Sequence, residues 1–72
     1  MLSFETYHRV ATLLRLDIQP TGDEDDSVDL MRHSLGLTIY ERKPVKALLT
    51  LAPYLSDAMI LKIAERLTDG PG

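Results

Sequence analysis

The stretch PVKALLTLAPYLSDAMILKIAERL, residues 44–67, decides the fold, because its apolar residues recur at helical spacing. The first apolar set, separated by intervals of three, one and three residues, comprises Val45, Leu48, Leu49 and Ala52. Such a set lies on one face of an α-helix. Pro44 suits the first helical position, and Pro53 removes a backbone donor, so a short helix is predicted to end at Pro53.

The second half of the same stretch predicts another helix. Ser56 and Asp57 are both suitable N-caps. The apolar residues that follow keep helical spacing and are Ile60, Ile63, Ala64 and Leu67. Gly70 and Pro71 are typical of a helix end, which leaves residues 69–72 as a predicted flexible tail. Because the connection between the two helices is short, they are predicted to form a tight hairpin.

Residues 3–16 predict a first helix that is capped by Ser3. Its apolar stripe comprises Phe4, Tyr7, Ala11 and Leu14, widened by Val10 and Leu13. Pro20 and Gly22 interrupt regular structure, so residues 17–24 are predicted to be an acidic linker.

The second helix is predicted to begin within the acidic run and to continue to about residue 40. Its acceptable N-caps are Asp25, Asp26 and Ser27. Its apolar face comprises Val28, Met31, Leu35 and Ile39. Gly36 would weaken this helix by about 0.5–1 kcal/mol relative to alanine. A competing interpretation takes LGLTIY, residues 35–40, as a short strand that pairs across a dimer, because apolar residues alternate there.

The whole pattern predicts an all-α fold, a small four-helix domain that spans residues 1–72. A chain of this length buries only about 60% of the surface that its unfolded form exposes. The sequence contains no cysteine, so no disulfide supports the core. Small cores commonly gain stability by oligomerising, and a homodimer is therefore expected to complete the fold.

More apolar residues are present than the four stripes use. An exposed second apolar surface would mark an interface with a protein partner, most simply a second copy of the chain. The residues predicted to form this interface are Leu13, Leu30, Leu37, Tyr40, Leu51, Leu55 and Met59.

The acidic run PTGDEDDSVD, residues 20–29, is the first candidate binding site. Its simplest interpretation is a helix start, since carboxylates are stabilised near unpaired N–H groups. The alternative is an acidic inhibitor or mimic that docks on a basic partner through residues 23–29, with a docking patch formed by Asp23, Glu24, Asp25 and Asp26. A calcium loop counted from Asp23 fails, because Val28 and Ser34 stand where glycine and glutamate are required.

A second alternative is a DNA-binding regulator that uses residues 44–68 in the manner of a helix-turn-helix. The basic residues available to it are Arg42, Lys43, Lys46, Lys62 and Arg66. Nucleic acid is not the favoured partner, because a chain with a pI of about 5.1 lacks the basic footprint that phosphate contacts need.

No catalytic motif is present, and the chain is predicted not to be an enzyme. No cofactor and no metal site are predicted. The sequence has neither a signal-peptide pattern nor an apolar run that could span a membrane, so a cytoplasmic location is expected. In length and helix count the chain resembles the small helical regulators that bacteria and their phages use to modify larger proteins. Because more apolar residues are present than the four helical stripes use, the chain is predicted to be a small non-enzymatic interaction module that forms a homodimer and acts by binding another protein.

Overall fold

The computed structural model describes residues 2–69 and contains four α-helices, with no strand in that range. The helices are α1 (Phe4–Leu13), α2 (Glu24–Ser34), α3 (Arg42–Leu51) and α4 (Asp57–Thr68). Short 3-10 turns precede and follow α3, at Ile39–Glu41 and Ala52–Tyr54. The predicted all-α architecture, the hairpin of α3 and α4 and the break at Pro53 are confirmed. The predicted tail falls outside the described residues, apart from Asp69.

Side-chain caps begin three of the helices. Ser3 Oγ accepts a hydrogen bond from the Thr6 amide at 3.1 Å, and Ser56 Oγ accepts one from Met59 at 3.2 Å. These two predicted caps are confirmed. At α2 the prediction was two or more residues late, because Asp23 is the N-cap.

The Asp23 carboxylate begins α2 by accepting hydrogen bonds from two successive amides. These amides belong to Asp25, at 2.8 Å, and Asp26, at 3.4 Å. The cap places Glu24, Asp25 and Asp26 in the first turn, where the positive end of the helix dipole stabilises negative charge. Because α1 ends at Leu13 and α2 begins at Glu24, the connection between them spans residues 14–23 and is longer than the predicted linker.

The predicted continuation of α2 to residue 40 is wrong, because the helix ends at Ser34. Gly36 adopts a left-handed backbone with φ of 74°. Its amide donates to His33 O at 3.0 Å, and the Leu37 amide donates to Arg32 O at 3.1 Å. This pair of bonds is a Schellman cap, which ends a helix and turns the next residue inward. Gly36 is thus a helix stop and not a defect within a helix.

The first helix ends by the same device without a glycine. Arg15 has φ of 57°, its amide donates to Thr12 O at 3.1 Å, and the Leu16 amide donates to Ala11 O at 2.8 Å. The predicted end at residue 16 is therefore three residues late. A left-handed backbone costs a residue with a Cβ about 1–2 kcal/mol.

The third helix begins two residues earlier than Pro44, at Arg42. Pro44 is still tolerated there, because the amides of a first helical turn have no intrahelical partner. A 3-10 turn leads directly into this helix. The Glu41 carboxylate fixes that turn by accepting hydrogen bonds from the Thr38 amide, at 2.9 Å, and from the Thr38 hydroxyl. These bonds lower the pKa of Glu41 below its usual value of 4.5.

All four helices contribute to one core. Its buried apolar residues are Tyr7, Val10, Ala11, Val28, Met31, Leu37, Val45, Leu48, Leu49, Ala52, Ile60 and Ala64. The Tyr7 hydroxyl donates to Ser27 O at 2.7 Å, which ties α1 to α2 inside the core. Burial of this phenol raises the pKa of Tyr7.

Candidate functional site

The acidic run has structural partners within the chain. Beside the capping role of Asp23, Glu24 Oε1 accepts a hydrogen bond from the Leu2 amide at 2.7 Å. Asp25 forms an ion pair with Arg42 at 2.8 Å. Asp26 is exposed in the first turn of α2. Three members of the predicted docking patch therefore have a structural role, which accounts for much of the run without an external partner.

Arg42 connects the start of α3 to α2. Its guanidinium contacts Asp25 at 2.8 Å and Asp29 at 3.2 Å. The hydrogen bond that Arg42 donates to Asp25, and the charges of both carboxylates, raise the pKa of Arg42. Asp29 also accepts from Arg32 at 3.2 Å, and Arg32 donates to Leu37 O at 2.9 Å. The first base of the proposed nucleic-acid set is thus already neutralised within the fold.

The remaining bases of that set lie on two helices. Lys43 and Lys46 are exposed on α3, and Lys62 and Arg66 are exposed on α4. The two bases of α4 share that helix with the acids Asp57 and Glu65, so its formal charge is balanced. A balanced helix does not present the positive surface that phosphate contacts require.

The structure divides the predicted interface residues into three groups. Leu37 lies in the core at 8% exposure, so its assignment to an interface is wrong. The reason is the Schellman cap of α2, which turns this leucine inward. The residues that are partly buried are Leu13, Leu30 and Leu55. The residues that are exposed are Tyr40, Leu51 and Met59.

The predicted interface set does not contain four apolar residues that the structure exposes. They are Phe4, Ile39, Tyr54 and Leu61. Tyr54 is 85% exposed in the turn between α3 and α4. The available signal was its position directly after Pro53, where the helical stripe of α3 has ended. Phe4 was assigned to the core stripe but instead stacks on His8, with ring centroids 6.1 Å apart.

One side of α3 gathers several of these residues, and we call it the α3 face. Its members on α3 are Lys43, Lys46, Ala47, Thr50 and Leu51, and we include Tyr40 and Tyr54, which continue the helical spacing into the flanking 3-10 turns. Five of them, from Lys43 to Leu51, line one shallow groove. All seven are exposed, because the opposite side of α3 carries the buried residues Val45, Leu48 and Leu49.

A second groove extends the α3 face toward the first turn of α2. Thr50 lines both grooves, and Pro53, Tyr54 and Glu24 line the second one. The surface therefore changes along its length. Lysines stand at one end, small and apolar side chains in the middle, and an aromatic ring with a carboxylate at the other end.

Arg9 holds the turn that carries Tyr54. Its guanidinium donates to Ala52 O and to Leu55 O, each at 2.8 Å. It also contacts Asp57 Oδ1 at 2.7 Å, which joins α1 to the first turn of α4. No sequence pattern identified this role, since Arg9 is separated from its acceptors by more than forty residues.

A separate apolar groove lies where the ends of α1, α2 and α4 meet. It is lined by Leu13, Leu14, Arg15, Leu35, Leu61, Ala64, Glu65 and Thr68. Arg15 and Leu35 belong to the two helix caps described above, so the geometry of this groove depends on both Schellman turns.

Residues 2–69 contain no group of three or more acidic or histidine side chains placed to hold a metal ion. Within the same range, no helix has the length and apolar character needed to cross a bilayer. In comparisons with known proteins, no protein-family model, curated protein or solved structure matches the chain.

Proposed function

We propose that this chain is a small non-enzymatic interaction module that acts by binding a protein through the α3 face. The observation that carries the proposal is the exposure of two tyrosines, Tyr40 at 90% and Tyr54 at 85%, in the 3-10 turns at the two ends of α3. Tyrosine is enriched at protein interfaces, because its ring supplies a large contact area and its hydroxyl supplies a hydrogen bond.

The middle of the α3 face supports the same proposal. Ala47 is small enough to let a partner backbone approach closely, and Leu51 is 51% exposed beside it. Lys43 and Lys46 supply a charged rim with long aliphatic stems. An apolar centre with a polar rim is the usual anatomy of a binding surface.

The two rival functions have weaker support. A nucleic-acid partner that used Arg42 would have to draw its guanidinium away from Asp25 and Asp29. A basic partner docking on the acidic run would compete with the cap formed by Asp23 and with the ion pair between Asp25 and Arg42. Both rivals would therefore have to disrupt contacts that position helices.

Site-specific photo-crosslinking in the native host tests the proposal. A photoreactive phenylalanine analogue replaces Tyr54, and the same analogue replaces Phe4 on α1 as the control position. We expect adducts of defined mass from position 54, and we expect Leu51→Ser in the same chain to remove them. The matched variant Leu61→Ser, an exposed leucine on α4, should leave them in place.

Two results would contradict the proposal. One is the absence of any defined adduct from position 54. The other is a set of adducts that forms equally from position 4 or persists in Leu51→Ser. In either case the α3 face would not be the binding surface.

A further inference from the structure

We infer that the α3 face is self-complementary, and that its partner is a second copy of this chain, packed antiparallel about a two-fold axis at Ala47. The inference rests on the proposed function and names the partner of the same surface.

The spacing of three exposed residues has two-fold symmetry. Tyr40 and Tyr54 each lie seven residues from Ala47, in the 3-10 turns that flank α3, and helical periodicity therefore puts all three near one side. Seven residues are two helical turns, about 10 Å along the axis. In an antiparallel pair centred on Ala47, Tyr40 of each copy therefore meets Tyr54 of the other.

The residue on the axis meets its own symmetry mate, so its size sets the distance between the helices. Ala47 is exposed and is the smallest side chain of the α3 face. Small residues at a crossing point allow helix axes to approach to the lower end of the usual range of about 8–10 Å. At that separation Leu51 and the tyrosine rings of both copies can cover the junction.

Charge selects the antiparallel arrangement. A parallel pair would place Lys43 and Lys46 against the same lysines of the other copy, and like charges in contact are unfavourable. The antiparallel pair instead places each lysine end against the Thr50–Tyr54 end of the partner, which is bordered by Glu24. Because an isologous interface repeats each contact, the Lys43 to Glu24 attraction would occur twice.

The small size of the core also favours a second copy of the chain as the partner. The 72-residue chain has no cysteine and a core of modest size, and such chains commonly gain stability by oligomerising. Burial of the α3 face would cover two nearly fully exposed tyrosines at once.

Engineered cysteine provides a direct test, since the natural sequence has none. Ala47→Cys places one thiol from each copy at the proposed axis, so mild oxidation of the full chain should give a disulfide-linked dimer rapidly. Ala58→Cys, an exposed alanine on α4, is the matched control and should cross-link much more slowly. Equal rates for the two variants would overturn the inference.

Sedimentation equilibrium from micromolar to submillimolar concentration gives the second measurement. We expect the wild-type chain to form a reversible dimer. Its dissociation constant should rise about tenfold or more in Ala47→Glu, because two carboxylates would meet on the axis. Ala58→Glu should leave it unchanged. Lys43→Glu should also weaken the dimer, and the double variant Lys43→Glu with Glu24→Lys should restore it. Far-UV circular dichroism confirms that each variant is folded.

The outcomes separate this inference from the proposed function. A wild-type chain that stays monomeric, or a dimer that Ala47→Glu leaves intact, overturns the inference. If position 54 then still cross-links to a protein of another mass, the α3 face binds a different partner and the proposed function stands. If no defined adduct forms, both are overturned.

Discussion

Replacing Arg9 with methionine is expected to destabilise the fold by about 2–3 kcal/mol. The change keeps most of the aliphatic stem and removes the guanidinium, which donates to Ala52 O and Leu55 O at 2.8 Å each. These bonds are partly buried, and the Arg9 side chain is 36% exposed, so water can replace them in part. We therefore assign the two charged hydrogen bonds about 2 kcal/mol together, less than the roughly 3 kcal/mol that two such bonds contribute at the low end of the usual range.

The ion pair with Asp57 contributes less than the carbonyl contacts. The Asp57 side chain is 64% exposed, and pairs of this kind contribute less than about 1 kcal/mol. A 72-residue domain has a total stability on the order of 4–11 kcal/mol, so the loss would be a large part of it. The melting temperature should fall by roughly 10–20 °C.

Urea unfolding at neutral pH, followed by far-UV circular dichroism, measures the effect. Asp57→Asn serves as one control, because it removes the exposed ion pair and leaves the carbonyl contacts in place. Arg15→Met serves as the other, because Arg15 is an exposed arginine in the same chain. If Arg9→Met lowers the free energy of unfolding no more than Asp57→Asn does, the guanidinium does not stabilise the turn that carries Tyr54.

Three further predictions concern the helix caps, the core and the response to acid. Arg15 and Gly36 both have a left-handed backbone, which favours glycine. Arg15→Gly should therefore raise the free energy of unfolding by about 0.5–1 kcal/mol, and Gly36→Ala should lower it by about 1 kcal/mol. Urea midpoints that move in the same direction for both variants would refute this. Leu37→Ala should lower the free energy of unfolding by about 2–5 kcal/mol, because Leu37 lies in the core. Leu51→Ala should lower it by less than about 1 kcal/mol and should weaken dimerisation. Equal losses in urea unfolding would contradict this division between core and surface. The hydrogen bonds from Thr38 lower the pKa of Glu41, so this carboxylate stabilises the fold above pH 4.5 and loses that effect as pH falls through its folded value. Glu41→Gln should therefore show a smaller loss of stability between neutral and acid pH than the wild type, and identical pH profiles would count against the role of Thr38.

The helical periodicity of α1, α3 and α4 was readable from the sequence, because a 3.6-residue repeat of apolar side chains reflects burial against one core. Ser3 and Ser56 were also identified correctly, since an N-cap acts within three residues of its own position. The ends of the helices were harder to predict from the sequence. Arg15 adopts a left-handed backbone, a conformation that sequence patterns assign to glycine or asparagine.

The candidate site was only partly predictable. Tyr40 and Leu51 were expected at an interface and are exposed, while Leu37 was expected there and is buried. All three sit outside the regular stripes, and periodicity cannot tell a residue that points to solvent from one that a helix cap turns inward. The burial of Leu37 depends on the left-handed backbone of Gly36 and on the pair of hydrogen bonds that ends α2. The spacing of apolar residues contains no sign of either.

The sequence by itself determined the class of the fold, the position of three helices and the break at Pro53, because these follow from local propensity and from one-sided burial. The tertiary structure alone decided which charges are available. Arg42 and the acidic run looked like separate candidate sites along the chain, yet packing of α3 on α2 brings them together and neutralises them. Such pairings join residues far apart in sequence, and the contacts that select them exist only once the helices have packed.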